Sequence, residues 1–195
     1  MRLIILPCLI IVLSACATTP LQPPQQDIDR SEYLLQLVEW DAHMTVVAMT
    51  AHEKIKARLH WQQTAQGYTI KLRDLIGRTV AIIESDASGV VARTSKGQRY
   101  QGTDADALLV NLTGLQLPIN GLKYWLQGLA DPQQSLEVIT ESENQLPQMI
   151  QQAGWTIHYP SYQYDEKVPM AKNIILDHQD IHLQVRIARW SLNRE

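Results

Sequence analysis

Lys54-Ile55-Lys56-Ala57-Arg58-Leu59-His60-Trp61 alternates residue by residue between polar and apolar side chains. Successive side chains of a β-strand point to opposite faces, so Ile55, Ala57, Leu59 and Trp61 share one face. Lys54, Lys56, Arg58 and His60 share the other, which reads as wet; His60 among three cations belongs to that solvated face. Gln66-Gly67 then turns the chain, and Tyr68, Ile70 and Leu72 alternate with Thr69, Lys71 and Arg73. Two alternating runs joined by a glycine turn predict an antiparallel hairpin with one buried face.

Working outward, residues 44–49 precede the hairpin as a strand. Before them, residues 27–40 place Ile28, Tyr33, Leu34, Leu37, Val38 and Trp40 close to helical spacing, with Asp29 or Ser31 as a cap. After the hairpin, residues 79–84 and 89–94 continue the meander, and Lys96-Gly97 turns into 98–100. Helix returns over 104–115, where Thr103 or Asp104 caps and Leu108, Leu109, Leu112 and Leu115 line a face. Pro118 suits the start of a second helix, because its missing amide would be unpaired there anyway. Leu122, Trp125, Leu126 and Leu129 form its stripe. Strands follow at 135–140, 146–152, 154–159, 174–176 and 181–190, with Leu183 on the apolar side of the last. The order helix, strands, helices, strands lacks the regular alternation of a parallel sheet. It predicts a mainly β (α+β) fold, a curved antiparallel sheet or open barrel with helices over one end or inside.

The N-terminus carries a different signal. Arg2 precedes an apolar run that ends at Leu13, about half the ~20 residues that a membrane-spanning helix needs. That length fits the apolar core of a secretory signal peptide, residues 1–15. Leu13-Ser14-Ala15-Cys16 resembles the lipobox of bacterial lipoproteins, which makes Cys16 the expected lipid-attachment residue. The alternative is an ordinary secretory signal with an unrelated cysteine behind it. Ala17, not Asp, follows the cysteine, which by the sorting rules of Gram-negative lipoproteins favours the outer membrane, periplasmic face. Residues 17–26 are polar and proline-rich and read as a flexible tether; residues 27–195 make one domain.

Loss of residues 1–15 removes Arg2 and no acid, so 16 basic residues face 20 acidic ones, a net charge of −4. That balance gives no reason to expect nucleic acid. Cys8 leaves with the signal and Cys16 is lipidated, so no thiol remains for a disulfide.

Chemistry-bearing motifs are missing: no nucleophile elbow, phosphate loop, dinucleotide fingerprint or His-Glu-x-x-His occurs. His178 and His182 flank Gln179-Asp180, which reads as a hairpin turn, so they lack the helical spacing of metal ligands. Asp104 and Asp106 read as helix-capping residues. The chain is expected to be no enzyme and to need no metal or cofactor. One turn is unusual. Asp74-Leu75-Ile76-Gly77 joins two strands with apolar residues where a turn is normally polar. Leu75 and Ile76 either tuck into the core or stand exposed for contact with something greasy; taken alone, the residues lean to the core.

These segments together resemble the LolB family of outer-membrane lipoproteins. The resemblance runs in collinear order from Leu37 to Trp190. It is carried by Leu59-His60-Trp61-Gln62-Gln63, Lys96-Gly97-Gln98-Arg99-Tyr100, Leu112-Thr113-Gly114-Leu115-Gln116-Leu117-Pro118-Ile119 and Leu122-Lys123-Tyr124-Trp125-Leu126-Gln127-Gly128-Leu129. Gly154-Trp155-Thr156-Ile157-His158-Tyr159, Val168-Pro169-Met170 and Ile187-Ala188-Arg189-Trp190 complete it. It implies an incomplete antiparallel β-barrel whose concave apolar side, covered by helices, holds the acyl chains of a client lipoprotein. A LolA-like periplasmic carrier would hand over the client, and the chain, a monomer, would insert it into outer-membrane lipid. Cavity candidates are Leu59, Trp61, Ile70, Leu72, Leu112, Leu122, Trp125, Leu126 and Leu183. The family's protruding loop commonly reads Asn-Pro-Leu-Gly; here Asp74-Leu75-Ile76-Gly77 aligns with it. The resemblance therefore reverses the lean to the core and puts a membrane-contacting tip at Leu75 and Ile76. Rival readings are a lipid-binding lipoprotein that transfers nothing and a lipoprotein hydrolase.

Overall fold

The computed structural model describes residues 29–113, 117–164 and 166–192, the side chains of residues 112 and 113 excepted. Cys16 and the proline-rich tether lie outside the described residues. In chain order the elements are α1 (Arg30–Leu35), β1 (Trp40–Met49), β2 (Lys54–Thr64), β3 (Gly67–Arg73), β4 (Thr79–Asp86), β5 (Gly89–Thr94) and β6 (Arg99–Gly102). Then come α2 (Ala105–Thr113), α3 (Ile119–Trp125), β7 (Leu136–Glu141), β8 (Pro147–Gln152), β9 (Trp155–Gln163), β10 (Met170–His178) and β11 (Ile181–Leu192). None of the described helices is long and apolar enough to cross a membrane.

All eleven strands join one antiparallel sheet in the order β6-β5-β4-β3-β2-β1-β11-β10-β9-β8-β7. Each half is a simple meander, and the two meet where β1 pairs with β11. The sheet does not close: β6 and β7 remain edges, so this is the expected incomplete barrel. The hairpin of the opening stretch forms with Leu59 opposite Leu72 and Trp61 opposite Ile70. On β1 the inward residues are Trp40, Ala42 and Met44, and on β11 Leu183, Val185 and Ile187, all buried. Alternation on β11 breaks once. A bulge at Ala188 slips the register between His43 and Met44, so Ile187 and Trp190 both face inward. An extra residue at a bulge resets which side chains share a face. Trp190 can then meet Trp40 edge to face at 5.4 Å, with Trp61 5.5 Å away on the other side.

The first helix is shorter than the spacing predicts. Asp29 caps it by accepting from the Glu32 amide at 3.0 Å, as expected, but it stops at Leu35. Trp40, expected on its apolar face, instead opens β1 and pairs with Gln63 and Leu192. Strand pairing on both sides outweighs the spacing of a short, weakly capped helix. The strand expected from residue 146 begins at Pro147, and the short one at 174–176 is the middle of a nine-residue β10.

α2 and α3 are fastened by polar contacts. The Asp104 carboxylate accepts from the Ala107 amide at 2.8 Å, the expected cap. Asp106, expected to do the same, instead accepts from the Asn120 amide at 3.1 Å and joins α2 to the start of α3. Burial raises the Asp106 pKa above its ordinary value. The far end of α3 hangs on Gln152, which is fully buried. Its carboxamide oxygen accepts from the Trp125 indole at 2.9 Å and from the Asp131 amide at 2.8 Å. Its nitrogen donates to the carbonyls of Asp131 and Gln134 at 2.9 and 3.0 Å. Tyr159 adds a hydrogen bond to the Trp125 carbonyl, and the Arg30 guanidinium donates to the carbonyls of Gln127 and Pro169. A buried donor left without its partner costs about 1–3 kcal/mol. Gln152→Leu is therefore expected to lower unfolding free energy by about 3 kcal/mol in urea titration. Gln151→Leu, next to it on the other face, should change it by less than about 0.5 kcal/mol.

Candidate functional site: an apolar concavity and an exposed loop

The inward faces of β1, β2, β3 and β11 meet α3 around a cavity of about 180 Å³. Leu59, Trp61, Leu72, Leu122, Leu126 and Leu183 line it, all of them candidates from the sequence. Ile70 and Trp125 are buried elsewhere: Ile70 is packed in the core beyond the cavity wall, and the Trp125 indole points to Gln152 as an anchor. Leu112 falls outside the described side chains. Sequence reading missed Met44, Val46, Ala48, Ile55, Ala57 and Ile119, which complete much of the wall. Their signal was available, since Ile55 and Ala57 share the parity of Leu59 and Trp61, and Met44, Val46 and Ala48 alternate within the strand expected at 44–49.

The wall is almost wholly hydrocarbon. A dry apolar cavity of roughly 150 Å³ holds one benzene-sized molecule, so this cavity as it stands takes little more than one short hydrocarbon segment. Beside it, sharing Ile119, opens a wider and more polar recess of about 730 Å³ bordered by Leu34, Gln63, Tyr68, Tyr124 and Gln127. Gln63 donates to the carbonyls of Thr64 and Gly67, both at 3.0 Å, while its buried carbonyl oxygen has no partner among the described residues. Burial also pushes the Tyr68 phenol up to about 12. Exposed Leu35 and Val38 stand at the rim.

The turn between β3 and β4 does not fold back into the core. Ile76 is 76% exposed and Leu75 48%, which corrects the lean to the core that the residues alone carried. Asp74 builds this turn. Its carboxylate accepts from the amides of Ile76 and Arg78 at 3.1 and 2.9 Å and from the Arg78 side chain at 2.7 Å. The hydrogen bond from Arg78 holds the Asp74 carboxyl below the usual range. Gly77 has a φ of +93°, a conformation in which a Cβ is strained. An Asx-type turn thus does here what a proline turn does by restricting φ. It leaves the two apolar side chains on the outside.

One further cluster lies on the outer face. His60 shares the outer face with its cationic neighbours, as expected, but is not simply solvated: it is half-buried against Asp41 at 2.7 Å and stacked on His43 at 4.0 Å. Asp41, His43 and His60 bring three ligand atoms within 4.8 Å of one another. Burial, then His60, keeps His43 below its ordinary pKa, and Arg189 and Arg73 act in the same direction. Those arginines equally oppose a metal cation, and the cluster is accounted for as a carboxylate shared by two imidazoles. His178 and His182 sit either side of the Gln179-Asp180 turn, as expected, with His182 bonded to Asp177 and His178 to the Gly154 carbonyl.

Residues 38–190 match the family model described as "Outer membrane lipoprotein LolB". The chain is 31% identical over 194 residues to an outer-membrane lipoprotein LolB of Alkalilimnicola ehrlichii, covering 98% of this chain and 97% of that one. It is 30% identical over 184 residues to the protein of that name from Tolumonas auensis, covering 94% and 93%. In structure it is similar to a LolA superfamily protein from Nitrosomonas europaea, with a TM-score of 0.53, 6% identity and coverage of 86% and 92%. A DUF1329 family protein from Desulfovibrio piger also gives a TM-score of 0.53, with 6% identity and coverage of 84% and 89%; at such identities the likeness is one of fold. The chain belongs to the outer membrane lipoprotein LolB family, and with it to the outer-membrane lipoproteins that serve lipoprotein localisation.

Proposed function

We propose that this protein accepts acylated lipoproteins from a LolA-like periplasmic carrier into the concavity under α3 and inserts them into the outer membrane. The observation that carries the reading is the pairing of a hydrocarbon-lined cavity with a separate, exposed apolar tip at Leu75 and Ile76. Sheltering an acyl chain removes each methylene from water for about 0.8 kcal/mol. Such a gradient needs no nucleophile and no cofactor; the client moves towards progressively better apolar surroundings. A cavity of about 180 Å³ is too small for the chains of a triacylated cysteine, so α3 has to move off the sheet as client enters. Lipid on Cys16 and the tether of residues 17–26 keep the receiving domain within reach of the bilayer, since stable anchoring takes more than one acyl chain. The tip at Ile76, free of the anchor, then contacts the bilayer during delivery.

Transfer from carrier to the mature chain with Cys16→Ala tests acceptance. The chain is expected to take up client; a folded chain that takes up none contradicts the receptor reading. Ala57→Phe fills the cavity from the floor of β2 and should cut uptake tenfold or more (about 1.4 kcal/mol) while circular dichroism stays unchanged. Ile76→Glu should leave acceptance intact and abolish release into liposomes. Loss of acceptance with Ile76→Glu would assign that residue to the cavity, not to delivery.

A further inference from the structure

The outer face of the sheet is as strongly marked by charge as the inner face is by its absence. Lys56, Arg58, Lys71, Arg73, Arg186 and Arg189 all occupy outward positions on β2, β3 and β11. Among the described residues, three carboxylates of that face are engaged: Asp41 with His60, Glu84 with Arg93, and Asp177 with His182. In a chain whose mature net charge is negative, cations collected on one face form a directional field.

Within that face runs a groove of about 610 Å³ whose lining includes Lys56, Arg58, Arg186, Asn173 and Leu75 and, among the described residues, no acid. Strand register explains it. Arg58, Thr45, Arg186 and Asn173 stand in one row across β2, β1, β11 and β10. Arg58 and Arg186 therefore flank the small Thr45 at about 10 Å, two strand spacings, a gap that two long side chains can close on one phosphate. Lys56 lies in the next row, opposite Val47. Lys56, Arg58 and Arg186 are exposed, and none has a carboxylate partner among the described residues. Leu75 forms one wall of this groove and is the direct neighbour of Ile76, the exposed tip. Cationic cleft and apolar tip thus belong to one continuous surface.

We propose that this groove binds the phosphate headgroups of anionic phospholipid, so that the outer face of the sheet lies against the bilayer when the Ile76 tip enters it. The proposal rests on the reading that the tip contacts membrane, and it adds what orients the domain there. Cations near an anionic surface attract it additively, and the attraction falls with salt over a Debye length of about 10 Å at 0.1 M. Such an orientation turns the concave side with its cavity away from the lipid surface, free to face an incoming carrier.

The test is cosedimentation of the full mature chain, carrying Cys16→Ala, with vesicles of phosphatidylethanolamine alone or mixed with phosphatidylglycerol. Phosphatidylglycerol should strengthen binding, and salt should remove the gain. The triple variant Lys56→Glu, Arg58→Glu, Arg186→Glu should lose about tenfold or more of the gain and keep its uptake of client; the milder Arg58→Gln, Arg186→Gln pair should lose part of it. Equal binding of wild type and triple variant to the mixed vesicles overturns the proposal. So does a triple variant that binds vesicles normally but no longer accepts client, which would make the groove a docking site for an acidic protein. Failure of the underlying reading looks different: Ile76→Glu would then leave binding to both kinds of vesicle unchanged.

Discussion

Period-two alternation of side chains, held in register across β3, β2, β1 and β11, is the constraint on which everything else in this protein rests. It sorts one chain into a hydrocarbon face and a cationic face within the same strands: Leu59 and Arg58 are consecutive, as are Leu183 and Gln184. A slip of one residue would exchange the two faces entirely. The bulge at Ala188 belongs to the same constraint, since it restores Trp190 to the inner face after two exposed residues. With Trp40 and Trp61 it closes one end of the concave side by aromatic packing rather than by another strand.

An apolar concave surface has to be covered, and the way it is covered leaves room for function. α3 reaches over the sheet with Ile119, Leu122 and Leu126, yet a void of about 180 Å³ remains beneath it. At on the order of 24 cal/mol per Å³ of empty cavity, such a void forgoes a few kcal/mol of packing. That stabilisation becomes accessible to any acyl chain that fills the space. At its C-terminal end Gln152, Tyr159 and Arg30 hold Trp125 and the turn after it. Its N-terminal end is tied to α2, the Asn120 amide donating to Asp106 at 3.1 Å and the Asn120 side chain to Asp104 at 2.8 Å.

Much of this was legible in the sequence because alternation is a local signal. The hairpin of β2 and β3, the two later helices, the succession of strands along the chain and the open mainly β architecture follow from it and from the turn residues, whereas the pairing of β1 with β11 does not. What escaped was set by distant pairing. Trp40 fits helical spacing behind Leu37, and only its partners Gln63 and Leu192 decide that it is strand. An apolar strand residue looks the same whether the space above it is filled or empty, so Ile70 in the packed core and Leu72 at the cavity could not be told apart. Trp125 suggested a cavity wall by its place in an apolar stripe, while its indole is committed to Gln152, 27 residues away. The exposure of Ile76 depends on the hydrogen bonds that Asp74 makes around the turn, a geometry that the letters Asp-Leu-Ile-Gly do not reveal without the family resemblance. His60, Asp41 and the row that sets Arg58 beside Arg186 all depend on strands brought together by β1.

If acyl chains occupy the inner face of the sheet, consecutive residues on β11 must differ sharply in what they touch. A photo-crosslinking side chain placed at position 183 or at position 184, in the lipidated protein loaded with client, reads this directly. Adducts to the client's acyl chains are expected from 183 and none from 184. Acyl adducts from 184, or equal yields from the two positions, would contradict that occupancy.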